Sequence, residues 1–307
     1  MLLTGAPVEL MAIDSRADCL QIERKVEKET KIGESQDIIV ENYQILNIAT
    51  HNINRIKSNA IKVEILLEWA RQEKIDIIGI NETNTTERQN KFSMNRQVDY
   101  VGIWADAEEN KKKGSGVGLI MNKKWEKHLS QVKRNNAYCL EALFIFKKQK
   151  IQIIVVYIPH NDQKTRKDIQ QQVIRRIYDC RRKAIKIIVL GDLNDIRCKN
   201  LDQSREDSKQ TQKLPLLNWL GNSDMVDIFR KLHLYEKKFT RSNDQVKSRI
   251  DYIWTSKDLR QGLISCKITE SDTITNSDYA IVKASIVTGI IKNSRTIACN
   301  KRLKGKK

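Results

Sequence analysis

Short apolar runs separated by polar turns dominate residues 42–288 and predict a series of β-strands. The runs span five to eight residues, the usual length of a strand, and most are rich in Ile and Val, which favour extended structure. The nine runs are Ile45–Ala49, Ile75–Ile80, Tyr100–Trp104, Val117–Met121, Ala142–Phe146, Ile151–Ile158, Ile185–Leu190, Ile250–Trp254 and Ala280–Val287.

Two segments between these runs repeat apolar residues at a spacing of three to four, which predicts amphipathic helices. The two stripes are formed by Ile61, Ile65, Leu66, Trp69 and Ala70, and by Ile169, Val173, Ile177, Cys180 and Ala184. A helix with one apolar face buries it against another layer. The alternation of strands and helices therefore predicts a sheet-dominated α/β core covered by helices.

Composition divides the chain into three zones. Residues 1–41 have no clear apolar face, and we expect an N-terminal extension of uncertain order. Residues 42–288 form the α/β zone. Residues 289–307 contain no acidic residue and end in Lys301–Lys307, so we expect a disordered basic tail.

The net charge of +18 indicates a polyanionic partner. Residues 1–41 hold nine acidic and five basic side chains, which leaves +22 on residues 42–307. Charge alone identifies neither the nucleic acid nor the reaction, and a generally lysine-rich proteome is an alternative explanation. We expect DNA as the partner, with RNA as an alternative, and an intracellular location that favours the nucleus over the cytoplasm.

Apolar runs this short fall far below the roughly 20 residues of a membrane span, so we expect no membrane partner. Met1–Cys19 lacks a cationic start and is interrupted by acidic residues, which argues against a secretory signal. The six cysteines form no CxxC pair and are interpreted as reduced thiols. The sequence indicates no oligomeric state.

Polar side chains with chemical potential follow six of the predicted strands or lie beside them. The segments are Asn52–Asn54, Asn81–Thr83, Tyr157–His160, Gly191–Asp195, Ser248–Tyr252 and Asn276–Asp278. Each segment alone has an ordinary explanation as a turn, a helix cap or a local ion pair, for example between Arg249 and Asp251.

In this order the blocks resemble the endonuclease/exonuclease/phosphatase family of DNase I-like proteins, and most closely the apurinic-type endonucleases of LINE-type retrotransposons. The similarity extends over about residues 42–288. The most specific blocks are Gly191-Asp192-Leu193-Asn194 and Ser248-Arg249-Ile250-Asp251-Tyr252-Ile253, and the supporting blocks are Thr50–Asn54, Asn81–Thr83, Gly114–Gly118 and Val156–Pro159. The resemblance implies an α/β four-layer sandwich, in which two packed mixed β-sheets are flanked by helices, with a phosphodiesterase site at one edge.

The resemblance also implies roles for individual residues. Glu82 is the principal ligand of a Mg²⁺ ion, with Asn52 and Asn54 beside it and Mn²⁺ as an alternative metal. Mg²⁺ prefers hard oxygen ligands, keeps several waters and takes one or two protein carboxylates. Asp192 orients or deprotonates the attacking water, and Asn194 holds the phosphate or that water.

Three further residues are catalytic by the same resemblance, and one position departs from the family. Tyr157 lies near the scissile phosphate, and Asp278 approaches a metal or the leaving group. The family closes with Ser-Asp-His, in which the histidine is held by the aspartate that matches Asp251. Here the motif is Ser277-Asp278-Tyr279. A phenol stays neutral at pH 7 and supplies no cation, so we expect Tyr279 to weaken the activity.

We assign DNA contacts to Thr240, Arg241, Arg249 and Ser277. The first two lie in a basic loop where retrotransposon nucleases carry a DNA-contacting hairpin, although an ordinary solvated loop explains them equally well. Arg249 is alternatively a replacement partner for Asp251.

The expected function is that of a Mg²⁺-dependent phosphodiesterase, a DNA endonuclease of retrotransposon origin. One alternative is a catalytically impaired nuclease-like protein that only binds DNA or RNA, which Tyr279 favours. A second alternative is a family member that hydrolyses lipid or inositol phosphates.

Overall fold

The computed structural model describes residues 42–56, 61–95, 97–109, 114–146, 149–205, 215–242 and 246–291. Contacts divide the chain into one compact unit, Ile45–Val287, and a second unit that comprises Met1–Gln44 and Thr288–Lys307. In the described part of the second unit, the Thr288 hydroxyl donates to the Gln44 carbonyl at 3.1 Å.

Two six-stranded mixed sheets contain most of the strands, and each has one parallel pair at its centre. The first sheet has the order β13-β14-β1-β2-β4-β3, with β1 and β2 parallel. Its strands are β1 (Asn42–Asn52), β2 (Ile77–Asn81), β3 (Tyr100–Ala105), β4 (Val117–Asn122), β13 (Leu263–Thr269) and β14 (Ile281–Ile291).

The second sheet has the order β5-β6-β7-β8-β12-β9, with β7 and β8 parallel. Its strands are β5 (Leu129–Asn136), β6 (Cys139–Phe146), β7 (Gln149–Tyr157), β8 (Lys186–Asp192), β9 (Met225–Asp227) and β12 (Asp251–Ser256). A separate two-stranded hairpin is formed by β10 (Arg241–Ser242) and β11 (Lys247–Ser248).

The described helices connect the strands. They are α1 (Ile61–Gln72), α2 (Glu87–Met94), α3 (Gln163–Arg182), α4 (Lys199–Asp202), α5 (Pro215–Asn222) and α6 (Ile228–Leu232), with 3₁₀ helices at Lys123–His128 and Lys257–Gly262. Helix α2 contacts β3 of the first sheet, and α3 contacts β8 of the second. No helix in these described ranges is long and apolar enough to cross a membrane.

The two sheets pack face to face, and alternate residues of β2 show how. Ile77 belongs to the large core cluster shared with the second sheet, whereas Ile78 belongs to a cluster shared with α1. The two sheets approach closely at Gly79 of β2, because a Cβ atom there would lie 1.9 Å from Leu190 Cδ1 of β8. The predicted sandwich of two mixed sheets flanked by helices is confirmed.

The strands that the sequence did not predict lie mainly at edges or in short pairings. Strand β5 is a polar edge strand, and most of its side chains are exposed. Strand β14 continues to Ile291, past the predicted start of the tail at residue 289, because it pairs along β1. The predicted extension 1–41 and tail residues 292–307 lie outside the described residues.

The four cysteines within the described ranges carry free thiols. Cys139, Cys180 and Cys266 are buried, and Cys198 is half-buried. Burial raises the pKa of the Cys139 thiol to about 12. The three buried thiols are packing groups of the core, as expected of small apolar side chains.

Candidate active site

The candidate site lies where the central strands of both sheets end. In the first sheet, Asn52 pairs with Asn81 at the ends of β1 and β2. In the second sheet, Asp192 at the end of β8 pairs with Tyr157 of β7 on one side and with Asp251 of β12 on the other. The topology therefore brings polar residues that are far apart in the sequence to one edge of the sandwich.

The amide of Asn52 ties two carboxylates together. Its Nδ2 donates to Glu82 Oε1 at 2.9 Å and to Asp192 Oδ2 at 3.0 Å. Its Oδ1 accepts from the backbone N–H of Asn54 at 3.0 Å. In this arrangement Asn52 positions the carboxylates, and its oxygen is occupied by the chain that follows.

Asn81 joins the two sheets at the same edge, and sequence reasoning gave it no role of its own. Its Nδ2 donates to the Val156 carbonyl at 3.0 Å, and its Oδ1 accepts from the Asp192 backbone N–H at 3.2 Å. Asn81 is fully buried. An amide at the last position of an otherwise apolar strand is the signal that would have identified it, because a buried amide requires partners.

Glu82 is held in a backbone conformation that non-glycine residues seldom adopt. Its φ is 52°, in the left-handed region, and its side chain is largely buried. The Glu82 carbonyl accepts from the backbone N–H of Arg55 and from Asn84 Nδ2, both at 2.9 Å. Such conformations persist where neighbours fix them and are frequent at functional sites. The backbone thus aims the carboxylate at Asn52 and the cluster.

Asp192 and Asn194 form a tight turn directly after β8. The Asn194 backbone N–H donates to Asp192 Oδ1 at 2.8 Å, and Asn194 Nδ2 donates to the Ile158 carbonyl at 2.9 Å. Burial raises the pKa of Asp192, while the hydrogen bond from Asn52 opposes the rise and the charge of Glu82 adds to it. The buried carboxylate is therefore short of positive charge.

Asp251 is the most poorly compensated carboxyl group of the cluster. It is 1% exposed, and neither of its oxygens accepts a well-formed hydrogen bond from the described residues. Burial and repulsion from Asp192, its neighbour across the strand pair, raise its pKa well above the ordinary value, and the nearby Thr240 hydroxyl does not offset them. A buried carboxyl without a partner is costly unless a cation or a proton neutralises it.

Two phenols face these carboxylates. Tyr157 and Tyr279 are both nearly buried, and the Tyr157 ring stacks on Tyr138 with a centroid distance of 6.2 Å. Burial, reinforced by the charges of Glu82 and Asp192, raises the pKa of each phenol above its ordinary value. Both hydroxyls therefore stay protonated and neutral, able to donate a hydrogen bond but not to supply a cation.

Asp278 lies at the exposed rim of the site. Its Oδ1 accepts from Asn54 Nδ2 at 2.8 Å, so Asn54 contacts this carboxylate. Lys62, which the sequence did not single out, donates to the carbonyls of Ile53 and Asn54 at 3.1 and 3.2 Å. Burial lowers the pKa of Lys62, and the charge of Asp278 opposes that shift. Lys62 is thus a cation that organises the loop after β1.

The prediction that Arg249 contacts DNA is wrong. Its side chain is 1% exposed, and its guanidinium pairs with Asp202 at 2.9 Å and with Asp227 at 2.8 Å. It is no partner for Asp251 either. Arg249 lies just before β12 and points into the protein, with its guanidinium carbon 4.4 Å from the Tyr252 ring centroid.

The predicted DNA contacts of Thr240 and Ser277 are also wrong, because both hydroxyls are buried and used within the protein. Thr240 Oγ1 accepts from the backbone N–H groups of Ile250 and Asp251, each at 3.0 Å. Ser277 Oγ donates to the Asn52 carbonyl at 2.9 Å. The two residues therefore fix the segments that carry the carboxylates.

Arg241 is half-buried and lies at the site itself. Its guanidinium carbon is 5.4 Å from the centroid of the Tyr279 ring. Of the four predicted DNA-contacting residues, Arg241 alone keeps a placement that is compatible with a phosphate.

The donor set fits a hard divalent cation that keeps most of its water ligands. Glu82 and Asp192 offer carboxylate oxygens on either side of one amide, and the Asp251 carboxyl beside them lacks compensation. Across the described ranges, no group of three or more His, Cys, Asp or Glu side chains is placed to hold a metal ion. A site with one or two protein carboxylates is the kind that Mg²⁺ uses, whereas zinc requires a fuller protein shell.

The model of the Endonuclease/Exonuclease/phosphatase family matches residues 49–272, which is most of the chain. The chain belongs to this family. The family predicted from the sequence blocks is thereby confirmed. The matched region contains Glu82, Asp192 and Asp251, whereas Asp278 and Tyr279 lie after it.

Solved structures show the same fold at low sequence identity. An AP endonuclease from Archaeoglobus fulgidus is 19% identical with a TM-score of 0.60, over 78% of this chain and 98% of that one. The catalytic domain of APE2 from Xenopus laevis is 17% identical with a TM-score of 0.63, over 81% and 94%. The 3′ phosphatase NExo from Neisseria, bound to a product DNA hairpin, is 15% identical with a TM-score of 0.63, over 78% and 98%.

Proposed function

We propose that this member of the family is a Mg²⁺-dependent phosphodiesterase that cuts DNA, and that it derives from the endonuclease of a LINE-type retrotransposon. The observation that carries the proposal is the amide of Asn52 held between the carboxylates of Glu82 and Asp192, with Asp251 opposite Asp192. Hydrolysis of a phosphodiester needs an oriented water and neutralisation of charge on the phosphate. The carboxylates of this cluster can orient the water and would hold the cation that neutralises the phosphate.

Five residues of the site have distinct tasks in this proposal. Glu82 would hold the Mg²⁺ ion, with water as its other ligands and Mn²⁺ as an alternative metal. When bound, the ion neutralises phosphate charge and stabilises the departing oxygen. Asp192 orients the attacking water and accepts its proton, and Asn52 keeps Asp192 and Glu82 in register. Tyr157 donates a hydrogen bond to a phosphate oxygen, and Asn194 supports the turn that carries Asp192.

DNA is the proposed partner, and an intracellular, nuclear location is proposed with it. The net charge of +18 supports a polyanion, and the Neisseria relative was solved with DNA. The retrotransposon origin is supported by the two blocks of sequence around Asp192 and Asp251, which resemble the LINE-type endonucleases most closely.

A second candidate function is DNA binding without cleavage, and one residue favours it. Tyr279 stands where the family carries its closing histidine, and burial keeps its phenol protonated and neutral. Loss of an electrostatic or proton-transfer group commonly lowers the rate by about 10²–10⁴-fold. The natural protein is therefore expected to cut slowly unless another cation acts on the phosphate.

Plasmid nicking tests the proposal directly. We expect the natural chain to relax supercoiled plasmid with Mg²⁺ or Mn²⁺ and not with EDTA. Asp192→Ala should lower the rate by about 10³-fold, because the water loses its acceptor. Glu82→Gln should abolish the response to Mg²⁺, because an amide is a poorer ligand for a hard ion.

The matched control is Glu126→Gln, an exposed acidic residue in the 3₁₀ helix that follows β4, at the far edge of the sheet. It should nick at the natural rate. Equal activity of the natural chain and Asp192→Ala would show that the nicking comes from another site or a contaminant. DNA binding without any nicking, in Mg²⁺ or Mn²⁺, would support the binding-only function.

A further inference from the structure

The site needs a cation near the phosphate that the tyrosine cannot supply. The histidine next to the cluster, His51, is fully buried, and its Nε2 lies 2.8 Å from Thr275 Oγ1. Burial lowers the pKa of His51 to about 3, so its ring is neutral at physiological pH. Lys62 is engaged by two backbone carbonyls.

Arg241 is fixed beside Tyr279 by the backbone. The two residues form an antiparallel bridge between the β10 hairpin and the segment that precedes β14. The Ala280 N–H donates to the Thr240 carbonyl at 2.6 Å, and the Ser242 N–H donates to the Asp278 carbonyl at 3.2 Å. Hydrogen bonds on both sides of Arg241 thus set the position from which its side chain starts.

The side chain of Arg241 then extends over the Tyr279 ring. The guanidinium carbon lies 5.4 Å from the ring centroid, within the range of a cation–π contact. Its Nε is buried and donates to no partner among the described residues. A guanidinium nitrogen without an acceptor leaves an unfilled hydrogen-bonding position, and in Arg241 that position lies beside the Tyr279 ring at the site.

The charge of Arg241 also reaches the carboxylates. It opposes the rise in the pKa of Asp192, of Asp251 and of the Tyr279 phenol. The guanidinium therefore lies close enough to act on the same groups that a bound phosphate would approach.

We propose that the Arg241 guanidinium contacts the scissile phosphate and supplies the positive charge that the closing histidine supplies elsewhere in the family, with Tyr279 as the residue that positions it. A guanidinium matches phosphate geometry with parallel N–H donors. The inference rests on the proposed phosphodiesterase function. Water attacks phosphorus, its proton passes to Asp192, and the bond to the departing oxygen breaks with that oxygen taking a proton from solvent. Arg241 stabilises charge and transfers no proton.

Two variants that lose the same charge test the contact. Arg241→Gln should lower the Mg²⁺-dependent nicking rate by about 10²-fold or more. The control Arg260→Gln removes an exposed charge in the 3₁₀ helix after β12, at the opposite end of that strand from Asp251, and should change the rate less than about 2-fold. Arg241→Lys should recover part of the rate, because a point charge replaces the fork.

The positioning role of Tyr279 is tested by comparing the effect of Tyr279 variants on the nicking rate in the natural chain and in Arg241→Gln. Tyr279→Phe keeps the ring and should keep the rate within a few-fold, whereas Tyr279→Leu should lower it by about 10-fold. In an Arg241→Gln background, Tyr279→Leu should change the nicking rate little further, because the guanidinium that Tyr279 positions is already absent. Full additivity of the two changes would overturn the positioning role. Circular dichroism and urea unfolding establish that each variant is folded.

The result separates this inference from the proposed function. Equal nicking rates of Arg241→Gln and Arg260→Gln overturn the inference and leave the phosphodiesterase function intact. If the natural chain does not nick DNA at all, the proposed phosphodiesterase function is refuted. The contact between Arg241 and phosphate is then tested by measuring the affinity for a nicked duplex with a terminal phosphate, in EDTA. A loss of affinity for Arg241→Gln at least about 5-fold greater than for Arg260→Gln supports the contact, and equal losses refute it.

Discussion

Asp251→Asn should stabilise the folded protein at neutral and alkaline pH. Asp251 and Asp192 lie directly opposite each other in the antiparallel pair of β8 and β12, where like charges are destabilising. The Asp251 oxygens are buried and poorly compensated. An amide at this position removes the repulsion and provides an N–H donor that Asp192 can accept.

The size of the effect follows from the cost of a buried polar group without a partner, which is about 1–3 kcal/mol and larger for a charge. We expect Asp251→Asn to raise the free energy of unfolding by about 2 kcal/mol near pH 8. The folded-state pKa of Asp251 is raised above its unfolded value, so the folded state binds the proton more strongly. The natural protein therefore loses stability as pH rises above the ordinary carboxyl pKa of about 3.9, and the advantage of the variant should grow over that range.

Urea unfolding in EDTA, measured between about pH 4.5 and 8.5, checks this expectation. The matched control is Asp258→Asn, an exposed aspartate in the 3₁₀ helix at the far end of β12. It should change stability by less than about 0.5 kcal/mol at every pH. The reasoning would be refuted if Asp251→Asn were less stable than the natural chain near pH 8, since Asp251 would then have a favourable partner in the folded state.

The remaining predictions concern charge, the buried arginine and the thiols. DNA affinity measured by fluorescence anisotropy should fall at least about 10-fold between roughly 50 and 200 mM salt, and a salt-independent affinity would contradict the charge argument. Deletion of Lys292–Lys307 should weaken binding to all DNA sequences alike. Arg249→Met should lower the free energy of unfolding in urea by about 3 kcal/mol, because two buried carboxylates lose their cation, whereas Arg260→Met should not lower it. Equal stabilities of Arg249→Met and Arg260→Met would show that the buried ion pairs are dispensable. In thiol labelling followed by mass spectrometry, Cys139 should react only after unfolding and half-buried Cys198 should react in the native state; equal native rates would contradict the burial of Cys139.

The central strands could be predicted from the sequence because both of their faces are buried. All residues of β2 are buried, as are nearly all of β8, so their apolar runs are continuous and visible without any partner. Strand β5 could not be predicted, because an edge strand with exposed faces has no apolar pattern. The short strands β9, β10 and β11 depend on pairing with distant segments, which no local pattern encodes.

The composition of the site could be predicted better than the roles of its arginines and hydroxyls. Glu82, Asp192 and Asp251 follow or begin apolar strands, so their meeting at one edge follows from the topology that the sequence blocks indicate. Arg249 is predicted to contact DNA or to pair with Asp251, two residues away in the sequence. Its actual partners, Asp202 and Asp227, are 47 and 22 residues away in the sequence, and only the folded chain brings them to it.

The protein carries an excess of positive charge overall, whereas its candidate site is acidic. Residues 42–307 carry a large excess of positive charge, yet the edge where the sheets meet gathers Glu82, Asp192 and Asp251 around few cations. Without compensation, this acidic edge repels a phosphate that the surface attracts. In the proposed function, a bound divalent ion and the Arg241 guanidinium would compensate this negative charge when the phosphate enters. The affinity for DNA should therefore depend mainly on salt concentration, whereas the cutting rate should depend on the metal and on Arg241.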